Sequence, residues 1–501
     1  MTLQVRTNQH HPAALTLSTT LFAMSLWGIF LDVTAVEASD WDRFRGPNGT
    51  GISADADPLP TTFSATENLQ WKVALPGAGV SCPIIIGDKV FLTCYSGYGV
   101  ERQSPGEIEN LKRHLVCLDR ATGKTLWEKT VAAVLPEDYF SGMGVPEHGY
   151  ASHTPTSDGK NVYVFFGKSG VFAYDMEGNE LWQTSVGKES DDREWGSSSS
   201  PILTGNVVVV VAGPESRAIV GLDKTTGKEL WRAEGDGLGN VWGTPVLAKI
   251  DETRTDVVIG APNEIWGLNP ATGKLKWYCE AMATDQFNSS VVVAENKIYA
   301  VEGRGGGSIA INTGGKGDIT KTDVVWSGRD SNRFSTPLLY EGRMYLISGS
   351  VARCVNASND EQIFEARMQG SEATPANAPP TSRPSLGNGQ EKDGQASSQP
   401  PREQGGGRGG RGGRGGRGGF GGFGGFGGGS DYSSPVLGDG KIYYVTRGGE
   451  IHVIKPTDKF EKLATNRVTA EPEDFSATPA ISNGQIFFRS NKHLYCVSLR
   501  K

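Results

Sequence analysis

An all-β fold, an eight-bladed β-propeller of four-stranded antiparallel blades, is predicted by three observations on this 501-residue chain. One unit recurs eight times with a step of about 45 residues, the period of propeller blades. Each copy contains short apolar runs separated by turn residues, four in a complete unit, the last ending in Trp. The eighth copy stops at Leu499 after three runs, whereas Leu69-Gln70-Trp71-Lys72-Val73, before the first copy, is an orphan Trp strand. Placed as the outer strand of the last blade, this N-terminal strand closes the ring and removes an exposed edge.

Taken in order, residues 1–38 read as a signal peptide. A polar start with Arg6 as its only full positive charge leads into the uncharged run Leu15 to Leu31. Val36-Glu37-Ala38 then sets small residues at −3 and −1 of a cleavage after Ala38. The run is at the short edge of a bilayer span, so an uncleaved anchor is the alternative. No cysteine follows it for lipid attachment, and no second apolar segment of spanning length occurs. The expected chain is exported, periplasmic or extracellular, without a transmembrane domain after cleavage. A leader segment, 39–68, precedes the propeller, 69–501.

The turn half of the unit reads LDRATGKTLW (118–127), YDMEGNELW (174–182), LDKTTGKELW (222–231) and LNPATGKLKW (268–277). INTGGKGDITKTDVVW (311–326) carries an insertion and VNASNDEQIF (355–364) replaces Trp with Phe. The other half is a Ser/Thr-Pro step, a strand, a turn and a second strand, with starts near 82, 154, 200, 244, 290, 336, 434 and 478. A blade cannot bury both faces alone, so the copies must stack around an axis. Trp71, Trp127, Trp182, Trp231, Trp277 and Trp326 share one repeat position, which makes them blade-docking residues whose indole N–H is satisfied on the neighbour's turn. Cys117, Cys354 and Cys496 fall where other units have Ala173, Gly221, Gly267 and Ala310, so they read as small buried residues. Cys82 takes a Ser/Thr place, and a bridge between Cys117 and Cys496 on adjacent blades is the oxidised alternative. No metal spacing is present, so no metal site is expected.

The turn-plus-Trp half resembles the repeat of the pyrroloquinoline-quinone (PQQ) propeller family, from about Leu69 to Leu499. The segment DWDRFRGPNGTGIS (40–53) resembles the leader of many secreted planctomycete proteins with such repeats. The resemblance implies the propeller fold and an envelope location. It also points to two branches. In quinoprotein dehydrogenases an adjacent cysteine pair, a calcium site and a catalytic Asp hold and use the quinone. This chain has no adjacent cysteines and no matching calcium ligands, so no catalytic residue carries over and no cofactor is expected. The other branch serves as a scaffold in outer-membrane protein assembly; its members are typically lipoproteins, and the lipid-site cysteine is missing here.

Long connections at 95–113, 128–151 and 367–430 share one face, which marks it as the working surface. An aromatic precedes each inner strand there: Tyr150, Trp195, Trp242, Phe287, Phe334, Tyr432 and Phe475. They read either as repeated packing residues or as a ligand funnel beside Glu147, His148, His153, Asn240, Asn288 and Arg333. The funnel would bind through Tyr150, His153, Trp195, Trp242, Asn288 and Arg333, yet spacing places no acid–base pair there.

Composition excludes several classes. Eleven Trp, 19 Phe and 14 Tyr rule out a wholly disordered chain, and a net charge of −7 argues against a DNA-binding protein. The insertion 367–430 holds 22 of the 68 glycines and, with eight basic against four acidic residues, is locally basic; it is expected to be disordered. Its Arg-Gly-Gly runs suit single-stranded RNA, but export argues against that partner and favours a spacer or adhesion to an anionic envelope polymer. The expected function is a monomeric, exported binding or scaffold module for an envelope protein or polymer, without its own catalysis. The alternative is a divergent PQQ- and calcium-dependent dehydrogenase oxidising an alcohol or sugar.

Overall fold

The computed structural model describes residues 40–142, 144–302, 307–332, 334–368, 431–499 and the backbone of 373–375. The expected signal peptide, Arg333 and nearly all of the insertion lie outside the described residues.

Eight antiparallel blades stand around one axis, each running outward in chain order. Blade one is Ile84–Ile86, Lys89–Ser96, Lys112–Asp119 and Thr125–Ala132. Blade eight is Ala480–Ser482, Gln485–Arg489 and His493–Ser498, completed by Leu69–Ala74, with Trp71 opposite Cys496. The N-terminal strand therefore closes the ring. Second strands are covered on both faces by neighbouring blades and read as unbroken apolar runs, as in Val207–Ala212, where every residue is buried. Outer strands alternate between half-buried and exposed, as in Leu69–Ala74.

The small position on the third strand has a direct cause. It lies across the sheet from the tryptophan: Cys117 opposite Trp127, Ala173 opposite Trp182, Gly221 opposite Trp231, Gly267 opposite Trp277 and Ala310 opposite Trp326. A β-carbon at Gly221 or Gly267 would fall inside the indole. Each outer strand then bulges, which turns the indole towards the next blade. There Trp71, Trp127, Trp182, Trp231 and Trp326 donate Nε1–H to carbonyls of Arg120, Met176, Lys224, Pro270 and Ala357, all at 2.9–3.0 Å. Trp277 departs from this pattern. The insertion in the next unit replaces the partner turn, adds the strand Gly317–Asp318 outside blade four, and leaves Trp277 donating to Asp256 Oδ2 at 2.9 Å. All six cysteines are free and buried. Cys117 and Cys496 each pack against their own tryptophan, so the bridge between blades one and eight is not formed, and burial pushes both thiols up to about 12.

The Ser/Thr-Pro step builds a ring around the axis. The backbone N–H of Cys82, Thr154, Ser200, Thr244, Ser290, Thr336 and Ser434 each donates to the hydroxyl at the same position of the next blade, at 2.9–3.1 Å. Thr478 completes the circle on the Cys82 thiol. Replacing Thr244 by Val removes the acceptor of a buried N–H and is expected to cost about 1–3 kcal/mol, seen as a lower urea midpoint with an unchanged fold.

The leader closes one end of the axis. Trp41 pairs with Ile85 of blade one, the Asn48 side chain with the Leu247 backbone of blade four, and Ile52 with Leu437 of blade seven. Trp41, Leu59 and Phe63 enter the core.

Candidate functional site

The opposite end of the axis is the face of the long connections. Three consecutive blades send charged residues into it. Arg113 opens the third strand of blade one, while Glu137 and Asp138 come from the following loop. Lys168 sits in the single turn Gly167–Ser169 of blade two. Ser197 lies in the connection to blade three, and Glu215 in the short helix Gly213–Ser216. Both turn positions join strands two and three, which aims them at this mouth.

The charges pair almost completely. Arg113 Nη1 meets Glu137 Oε1 at 2.7 Å, both side chains 4% exposed. Lys168 Nζ meets Asp138 Oδ1 at 2.9 Å, both 5% exposed. Glu215 has no cation. Burial, then repulsion from Glu137 and Asp138, outweighs the Ser197 hydrogen bond and raises its carboxyl to about 7. His153 Nε2 is hydrogen-bonded to Ser197 Oγ at 3.0 Å, and that hydroxyl donates to Glu215 Oε1. Burial and the nearby Arg113 lower the His153 imidazole to about 3, so it stays neutral. His153 Nδ1 and Glu215 Oε2 have no protein partner. Both residues line a cavity of about 20 Å³, room for one water.

The Ser197 hydroxyl is bonded to Glu215, and the Ser197 and His153 side chains are both buried.

Tyr150, His153, Trp195 and Trp242 come together around this mouth. Tyr150 is buried, donates to the Asp138 carbonyl at 2.6 Å and lies beneath the Arg113 guanidinium. Trp195 packs against Trp242 with ring centres 5.7 Å apart, and Trp242 Nε1 donates to the Gly196 carbonyl at 2.8 Å. His148 bonds Ser152 Oγ at 2.7 Å and the Trp195 carbonyl at 2.8 Å. Glu147 reaches across the mouth to Arg447 of blade seven at 2.7 Å. Elsewhere, Phe287 and Phe475 are buried, Phe334 stacks on Tyr432 at 4.3 Å, and Asn288 is held by Glu302 at 2.8 and 3.0 Å. The carbonyl of Asn240 accepts from the Phe287 N–H.

Sequence reasoning missed Arg113, Glu137, Asp138, Lys168, Ser197 and Glu215. A usable signal existed for two of them: Lys168 and Glu215 are charges set in short turns between uninterrupted buried runs.

The cavity lined by Arg113, Tyr150, His153 and Glu215 measures about 20 Å³, against about 300–1,000 Å³ for drug-sized ligand pockets. On the leader face, by contrast, an open groove of about 450 Å³ is lined by Asp40, Asp42, Arg43, Asn48 and Asp158.

A model of the family described as outer membrane protein assembly factor BamB matches residues 111–372. The BamB of Nitrosomonas eutropha is 27% identical over 206 residues, covering 38% of this chain and 42% of that protein, so the match spans less than half of this relative. Among solved structures, BamB from Moraxella catarrhalis superposes with a TM-score of 0.51 at 12% identity, over 86% of this chain and 99% of that one. A europium-containing methanol dehydrogenase gives 0.60 at 10% identity, over 92% and 98%. A quinohemoprotein alcohol dehydrogenase from Comamonas testosteroni gives 0.54 at 11%, over 92% and 80%. At these identities the structural likeness is one of fold.

Proposed function

We propose, from the premise that the chain belongs to the family described as outer membrane protein assembly factor BamB, that it is an exported binding or scaffold module of the cell envelope without chemistry of its own. The observation that carries this reading is the filled mouth. The groups that could do acid–base work are buried and bonded to one another around a space for one water. The family membership supports a protein partner in the envelope. The apolar run Leu15 to Leu31 supports export, and no helix among the described residues is long and apolar enough to cross a membrane.

Calorimetric titration of the chain from Ser39 with PQQ, with and without calcium, tests this against the dehydrogenase reading. The expected result is no saturable heat in either condition and no reduction of an artificial electron acceptor by alcohols or sugars. Tight, stoichiometric, calcium-dependent binding followed by turnover overturns it.

A further inference from the structure

We infer that the axial shaft holds a small inorganic anion of the chloride class, bound by the guanidinium of Arg45 near Cys82. Arg45 belongs to the leader, outside the family-matched segment 111–372. It takes a left-handed backbone conformation, φ 58°, followed by Gly46 at φ 64°. Its guanidinium is fully buried. Nη2 donates to the carbonyls of Pro337 at 3.0 Å and of Pro435 and Thr50 at 3.4 Å. Pro337 and Pro435 directly follow the ring residues Thr336 and Ser434, which sets the group at the axis. Gly51 leaves it room: a β-carbon there would sit 2.6 Å from Nη2. Nε and Nη1 have no protein partner.

Among the described residues no carboxylate faces this charge. Burial lowers the guanidinium to about 9, and the one side chain opposing that shift is the Cys82 thiol. Arg489, from blade eight, approaches the same thiol. It is also buried, donates to the Ser81 carbonyl at 2.6 Å and to the Ser81 hydroxyl, lies 3.6 Å from Cys94 Sγ, and leaves Nε unpaired. The groups facing Arg489 are Cys94, Cys82 and Tyr95, and burial pushes all three towards their neutral forms. Each of the two buried guanidiniums thus has the Cys82 thiol among the groups that act on it and no carboxylate among them.

A buried charge without a partner is strongly unfavourable, and arginine does not escape by losing its proton. The Cys82 thiol is held up by burial and serves as acceptor for the Thr478 N–H, so it does not supply the negative charge. An anion from solution does. The shaft is capped by the leader, which favours a monatomic ion over a phosphate or an organic acid.

The test uses the full chain, refolded at constant ionic strength in chloride, bromide or methanesulfonate, and crystallised from bromide. A bromide anomalous peak within hydrogen-bonding distance of Arg45 Nε or Nη1 is expected. So is a saturable rise in melting temperature with either halide that methanesulfonate does not produce. Arg45→Gln should melt at the same temperature in all three salts. Should that variant fail to fold, Arg45→Lys, which keeps the charge but loses the fork, is expected to need more halide for the same rise. Wild-type melting that is identical in all three salts, or bromide found at the surface alone, overturns the inference.

Discussion

Arg113→Met is expected to lower the unfolding free energy by about 3–5 kcal/mol, because it leaves a carboxylate buried without its cation. The ion pair with Glu137 is 2.7 Å long and both side chains are 4% exposed. The same guanidinium also bonds the Tyr150 carbonyl at 3.2 Å and Ser169 Oγ at 3.3 Å, so one substitution loosens the joint between blades one and two. Urea unfolding followed by Trp fluorescence measures the loss. The double variant Arg113→Met, Glu137→Gln should recover much of it, since removing both charges removes the desolvation penalty with the attraction. A single variant as stable as wild type would refute the buried pair.

Glu215→Gln is expected to change the pH dependence of stability. The folded carboxyl titrates near 7, above its ordinary 4.5. Between those values the folded chain keeps a proton that the unfolded chain releases. This contribution is complete below pH 4.5 and is lost as pH rises through 7, at about 1.4 kcal/mol per pH unit and on the order of 3 kcal/mol in all. His153 has the opposite sign. Its folded value near 3 lies below the ordinary 6.5, so its contribution is present above pH 6.5 and is lost as pH falls through 3. The two slopes cancel between pH 4.5 and 6.5 in the wild type. In Glu215→Gln the His153 slope stands alone, so relative to wild type the melting temperature should climb with pH across that window. Superimposable profiles would show that Glu215 titrates as an ordinary surface carboxyl.

The repeat carried most of the architecture in plain view. Blade number, the closing strand at Trp71, the small position at Gly221 and Gly267, and the docking tryptophans all follow from one unit read eight times. Trp277 was the exception, because its N–H partner depends on an insertion in the following unit that adds a strand rather than a turn. The mouth was half legible. Tyr150 and His153 could be found from their place before the second blade, but their partners could not. Arg113, Lys168 and Glu215 sit at the open ends of strands, where the repeat sets no residue type, and they come from three different blades.

The sequence by itself determined the all-β repeat, its count and its closure, because each unit reproduces the same local turns, strand alternation and interblade contacts. Only the tertiary structure decided what the axis contains. The leader lies outside the repeats, yet it places Trp41 and Arg45 in the core and at the shaft. The charges of three blades become ion pairs only when the ring brings their strand ends together. Burial then sets the protonation of His153 and Glu215, since desolvation depends on every neighbour in space and on none in particular along the chain.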